Sequence, residues 1–173
     1  MTLSLNMRKF LILGLIFLVS LGLRFWNLGQ FNTLVFDEVY YAKFANNYLT
    51  RTPVFNSHPP LTEYLIALGM WLYSSFQASP DITNDLTGSW GSTISYRWLN
   101  ALTGSFFPLI LGAIAYQLTH RRSQAIIITL LAAMEGLFLV ESRYTLNNIY
   151  SVTFGLLGHL FFLLFVNQSN IFI

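Results

Sequence analysis

Residues 98–118 read WLNALTGSFFPLILGAIAYQL, a run from Trp98 to Leu118 without one charged side chain. About 20 such residues, wound as a helix, cross the ~30 Å hydrocarbon core of a bilayer. Three further apolar runs flank it. Phe10–Leu23 continues past Arg24 toward Leu28 if that arginine snorkels. Ala125–Val140 is interrupted by Glu135, and Ile149–Val166 contains His159. Hydrophobic residues make up 54% of the chain and charged residues 9%, where a soluble domain carries about 25% charged. The expected fold class is therefore an all-α integral membrane protein. Its spans fall near 10–28, 98–118, 125–140 and 149–166, with a non-cytoplasmic loop over 29–97. A signal peptide is the alternative for the first run, but no small-residue cleavage site follows it.

The loop has structure of its own. A helix is expected over Glu38–Leu49. A second, apolar one is expected over Leu61–Phe76, started by Pro59 and Pro60 at favoured first-turn positions. Basic residues set the orientation. Arg8 and Lys9 place the N-terminus in the cytoplasm, and the tight THRRSQ loop, with Arg121 and Arg122, belongs there too. An even number of spans must separate the two. Leu61–Phe76 is thus interfacial or re-entrant; its helix would also cover only ~24 Å. On this parity Asp37, Glu38, His58, Arg97 and Arg143 all lie on the non-cytoplasmic face.

These side chains suit one kind of chemistry, transfer of a sugar from a polyprenyl phosphate. The phosphate is a good leaving group, so one carboxylate suffices to take the acceptor's proton. Arginine suits the departing phosphate because its planar fork binds two oxygens. Asp37 or Glu38 would supply the base, and Arg97 and Arg143 the cations. Each has a plainer reading. Asp37 is a favoured N-cap residue. Glu38 suits a helix dipole, and His58 suits a turn. Arg97 and Arg143 could be interfacial anchors. Glu135 stands within a span, where a carboxylate is a functional candidate or the partner of Arg97 or Arg143. A chain with no Cys has no thiolate nucleophile, and its net charge of +2 does not suggest nucleic acid. No zinc spacing or Gly-rich phosphate loop occurs, so the residues imply no cofactor and leave any divalent metal need undetermined.

Four blocks carry a family resemblance: VFDEVYYAKFANNYL (35–49), HPPLTEYLIALG (58–69), SYRWLNALTGSFFPLILGAIAYQL (95–118) and LLAAMEGLFLVESRYTLNNIY (130–150). In this order they resemble the protein O-mannosyltransferases, whose text runs approximately FDEVHFGKFA, HPPLGKMLIAL and LxLLxxDGLLLVQSRIALLDIF. The likeness extends from about Leu23 to Phe162. It implies a GT-C-type helical bundle that transfers mannose from dolichyl- or polyprenyl-phosphate mannose to Ser/Thr hydroxyls of a protein. It also implies Asp37 and Glu38 as the catalytic acidic pair. His58, Arg97, Arg143 and Glu135 would bind acceptor or donor. Membrane lipid would be a further partner, in the plasma membrane of a bacterium or the endoplasmic reticulum membrane of a eukaryote. Two departures stand out: Glu63 replaces the lysine of HPPLGK, and Asn148 replaces the acid of LLDIF. Family members are much longer, so the chain is expected to be an N-terminal portion that needs the remaining part or a homologous subunit. The alternatives are a transferase with a lipid or glycan acceptor, and a non-catalytic membrane subunit or remnant.

Overall fold

The computed structural model describes residues 5–56, 58–76, 83–84, 89–90 and 92–169. The rest of the expected loop, and the side chains of Arg8 and Lys9, lie outside the described residues. In chain order the elements are α1 (Leu5–Phe25), α2 (Glu38–Thr50), α3 (Leu61–Phe76), β1 (Thr83–Asn84), β2 (Ser89–Trp90), α4 (Thr93–Thr119), α5 (Arg122–Met134), α6 (Gly136–Glu141) and α7 (Asn148–Ser169). The strands are one short antiparallel pairing, Thr83 opposite Trp90 and Asn84 opposite Ser89. Among the described residues everything else regular is helix.

The charge-free run forms the centre of the molecule. α4 packs against α1, α3, α5 and α7. At ~40 Å it is long enough to cross a bilayer, and among the described residues α7 is the other helix long and apolar enough to do so. The apolar part of α1, Phe10–Phe25, and α5 are shorter. Phe10, Leu15 and Leu18 on α1, and Phe161, Phe162 and Phe165 on α7, are exposed. Contiguous apolar surface of this kind needs a covering that is not water.

Small residues set how closely the helices approach. A Cβ on Gly112 of α4 would overlap Oγ1 of Thr129 on α5, and one on Gly104 would overlap the Ser142 side chain. The tight turn between α4 and α5 forms as expected. His120 takes a left-handed φ of 53° and closes α4 with its N–H on the Tyr116 carbonyl. A second core joins α2 and α3 to the bundle. Tyr41, Ala42 and Ala45 meet Ile66, Ala67 and Met70, and Tyr96, Ile149 and Tyr150 complete the cluster. Trp98, at the start of the charge-free run, donates its indole N–H to the Gly69 carbonyl at 3.0 Å and ties α4 to α3.

The run 125–140, expected as one span, is two helices rather than one. The helix breaks at Glu135, where α5 ends and α6 begins. The physical cause is local: the Glu135 carboxylate accepts from the Leu137 and Phe138 N–H groups, at 3.0 and 2.8 Å. It thereby satisfies the free donors of a new helix start.

These contacts predict opposite outcomes for two glycines. Gly112→Val forces α4 and α5 apart and lowers stability by about 1–3 kcal/mol. Gly158→Ala, which meets open space, raises it by up to about 1 kcal/mol through helix propensity. Thermal unfolding of the detergent-solubilised chain reads both.

Candidate functional site

Glu38 opens α2 and Arg97 lies early on α4, and the fold brings the two together out of contact with solvent, 0% and 1% exposed. Arg97 Nε donates to Glu38 Oε1 at 2.7 Å, and Nη2 to Oε2 at 2.6 Å. A guanidinium has five N–H donors. The other three go to the carbonyls of Leu28, Phe31 and Thr33. Glu38 also accepts from the Val35 N–H and the Thr145 N–H, both at 2.8 Å. The rings of Tyr96 and Tyr144 lie 5.6 and 5.1 Å from the guanidinium carbon, within cation–π range. Five donors and four carboxylate positions are thus filled by the chain. In this arrangement neither Arg97, expected as a phosphate ligand, nor Glu38, expected as one of two catalytic acids, has a hydrogen-bonding position to spare.

Asp37 behaves differently. Successive residues of a helix are rotated by about 100°, so it faces away from its neighbour. It occupies the N-cap position of α2, but its side chain makes no capping hydrogen bond. Among the described residues its carboxylate has no hydrogen bond or ion pair. It lines a cavity of about 330 Å³ together with Tyr41, Phe44, Phe55, Asn56 and His58. The preceding Phe36 is exposed and held at φ 53°, a strained conformation for a bulky residue. Burial first, then the charges of Asp37 and Glu63, hold the Tyr41 hydroxyl above the ordinary tyrosine range.

His58 is exposed, and its ring lies 6.2 Å from that of Tyr41. Its backbone N–H donates to Asn56 Oδ1 at 3.1 Å, and Asn56 Nδ2 donates to Glu63 Oε1. Asp37 and His58 therefore share one cavity, held by a loop that Glu63 anchors from below.

Arg143 is half-buried, just after α6. One of its N–H groups reaches the Trp26 carbonyl at 2.7 Å, and the others have no partner among the described residues. It lies two residues before Thr145, so it reaches the same end of the bundle as the Glu38–Arg97 pair. Glu135 does not join them. It is exposed and occupied by its capping bonds, and it pairs with neither Arg97 nor Arg143.

Sequence reasoning missed Arg24, expected to snorkel outward. It is fully buried. Its Nε donates to Ser142 Oγ at 3.0 Å and its Nη1 to Ser20 Oγ at 2.6 Å, which ties α1 to the end of α6. The available signal was Ser20 one helical turn before it. Among the described residues no cluster of three His, Cys, Asp or Glu side chains is placed to hold a metal.

Residues 14–171 match the family described as dolichyl-phosphate-mannose-protein mannosyltransferase. The chain belongs to this family. It is 33% identical to Protein O-mannosyl-transferase 1 of Mus musculus over 164 residues, which are 91% of the chain and 22% of the mouse protein. It is 31% identical to dolichyl-phosphate-mannose–protein mannosyltransferase 4 of Candida albicans over 167 residues, again 91% of the chain and 22% of the relative. The like-named protein 4 of Saccharomyces cerevisiae shares 30% over 131 residues, 75% of the chain and 17% of the yeast protein. The chain thus spans about a fifth of the length of these mannosyltransferases. No solved structure matches it.

The buried pair carries a stability prediction for this member of the family. Arg97→Ala strands the Glu38 charge and costs about 3–5 kcal/mol. Arg97→Lys fails to restore the loss, since three donors on a point charge cannot replace five in a fork. Asp37→Asn leaves stability nearly unchanged. Chemical or thermal unfolding in detergent separates the three variants.

Proposed function

We propose that this chain carries the catalytic carboxylate and donor contacts of a membrane mannosyltransferase. Its donor is a dolichyl- or polyprenyl-phosphate mannose, and its acceptor a Ser or Thr hydroxyl of a protein. The observation that carries the reading is the contrast between two adjacent acids: Glu38 is closed within an ion pair, and Asp37 is free on a cavity wall beside His58.

In the reaction, Asp37 removes the acceptor hydroxyl's proton as the oxygen attacks the anomeric carbon. The new carbon–oxygen bond forms as the bond to the lipid phosphate breaks, with inversion, and the electron pair leaves on phosphate. Arg143 meets that phosphate with the N–H groups it has left over. His58 positions the acceptor, and the Glu38–Arg97 pair holds the segment on which Asp37 stands. Family membership and the free Asp37 support this assignment of roles.

In the membrane, α1, α4, α5 with α6, and α7 form four spans of a GT-C-type bundle. α2 and α3 lie at the non-cytoplasmic surface, and the chain is multi-pass. Support comes from the two long apolar helices and from the gathering of Glu38, Arg97, Thr145 and Arg143 at one end. His120 and Arg121 lie at the other end of α4. The membrane is the plasma membrane in a bacterium and the endoplasmic reticulum membrane in a eukaryote.

Mannosyl transfer from polyprenyl-phosphate mannose to a Ser/Thr-rich peptide tests the chemistry. Asp37→Asn should lower the rate by about 10²–10⁴-fold, the usual contribution of a general base, and Arg143→Ala should raise the KM for the lipid donor. Full activity in Asp37→Asn sinks the proposal. Topology has its own test, helped by the absence of native cysteine. A Cys at position 58 should react with an impermeant thiol reagent from the non-cytoplasmic side only, and a Cys at 121 from the cytoplasmic side only.

A further inference from the structure

At the other end of α4 a trough of about 360 Å³ opens between α1, α4 and α5. Small residues make it: Gly112 and Ala113 on α4 and Ala125 on α5 leave space that larger side chains would fill. From Leu109 to Tyr116 it follows α4 for ~10 Å. Leu13 of α1 and Tyr116 line it and are partly exposed, so the trough is open at the surface of the bundle. Its lining is almost wholly apolar, with one charged side chain, Arg122, the first residue of α5. Tyr116 stands ~28 Å along α4 from Arg97, so the trough is remote from the cavity that holds Asp37.

Arg122 and its neighbour Arg121 are exposed, and neither has an ion pair among the described residues. No carboxylate is at hand to provide one. This end gathers the start of α1, the end of α4, the start of α5 and the end of α7, where Asn167 bonds Gln117. The sequence holds no Asp or Glu in 1–36, 86–134 or 142–173, which include all four. Arg121 also gives α5 no side-chain cap, so the N–H groups of the first turn add to the attraction for an anion.

We propose that the trough binds an anionic phospholipid, one acyl chain lying between α1, α4 and α5 and the phosphate on the Arg122 guanidinium. Hydrocarbon fills an apolar trough in a bilayer, and the planar fork of arginine bonds two phosphate oxygens. A net anionic headgroup fits better than a zwitterionic one. The Arg121 charge repels an ammonium or choline group, and no acid is present to hold it. The tail of a lipid-linked sugar fits poorly. Its phosphate would sit at the Asp37 end, and a tail reaching here would leave Arg122 without a counter-charge. The site needs α4 and α5 to lie in a bilayer, and it takes no part in the transfer reaction.

Native mass spectrometry of the purified full chain in detergent, titrated with dioleoyl-phosphatidylglycerol or dioleoyl-phosphatidylcholine, tests this. One phosphatidylglycerol should bind saturably, and phosphatidylcholine several-fold more weakly. Arg122→Gln should weaken phosphatidylglycerol about tenfold, the usual effect of losing a charge-assisted hydrogen bond. Arg51→Gln, at an exposed arginine after α2, should leave binding unchanged. Ala113→Leu, which fills the trough, should weaken both lipids alike. Inorganic phosphate in large excess should displace neither, since it leaves the trough unfilled. Equal binding of phosphatidylglycerol by wild type and Arg122→Gln overturns the proposal, and so does an equal loss in Arg51→Gln, which would mean surface charge alone. Displacement of the phospholipid by an equal concentration of polyprenyl phosphate assigns the trough to a donor tail and overturns it too. So does absence of saturable binding in wild-type protein that melts cooperatively. Binding is read without turnover, so failure of the Asp37 role leaves this site standing, and the converse holds.

Discussion

Withdrawing a carboxylate and a guanidinium from water costs several kcal/mol for each ion, and their attraction repays this only when the remaining hydrogen-bonding positions are also met. Glu38 and Arg97 meet that condition through backbone. Three carbonyls of the 28–33 segment turn toward Arg97, and the N–H groups of Val35 and Thr145 turn toward Glu38. The chain between α1 and α2, the start of α2, the second turn of α4 and the link between α6 and α7 are thereby fastened at one point. Loss of either charge releases all four. Asp37, Arg143 and the loop that carries His58 are attached to these segments, so their placement depends on the pair.

The adjacent acids show how one helical step separates a saturated carboxylate from a free one. Both are carboxylates at the mouth of α2. The step toward the bundle gives Glu38 four donors; the step away leaves Asp37 on a cavity wall without any. A carboxylate saturated by donors is poorly suited to take a proton, whereas a free one beside a cavity is well suited. The strained Phe36 immediately before them fits a turn whose direction is dictated by the anchoring of Glu38.

Much of the helical layout is legible in the letters. Apolar periodicity and the two prolines give α3 as 61–76, and the expected α2 stops one residue before the observed end at Thr50. The apolar run starts five residues later than α4 itself, because hydropathy overlooks Ser95 and Arg97, polar residues inside the helix. The break at Glu135 is invisible to the same measure, since a carboxylate that turns back on its own N–H groups looks in sequence like a charge placed in a span. Arg97 is recognisable by type and place, but its partner is 59 residues away. One sequence offers no rule for pairing across such a distance, so a saturated arginine reads as a free one. Arg24 fails for a related reason: its burial depends on Ser142, far along the chain. Residues that act through local chemistry are readable, and those defined by distant partners are not.

The closure of Glu38 upon Arg97 has an electrostatic consequence. A tightly apposed pair of opposite charges cancels at a distance, so Glu38 and Arg97 add little to the field at their end of the bundle, while the free acid at 37 and the guanidinium at 143, which have no ion pair among the described residues, shape it. An approaching anion meets a field with a direction: it is drawn toward the guanidinium and held off from the free acid before any contact is made.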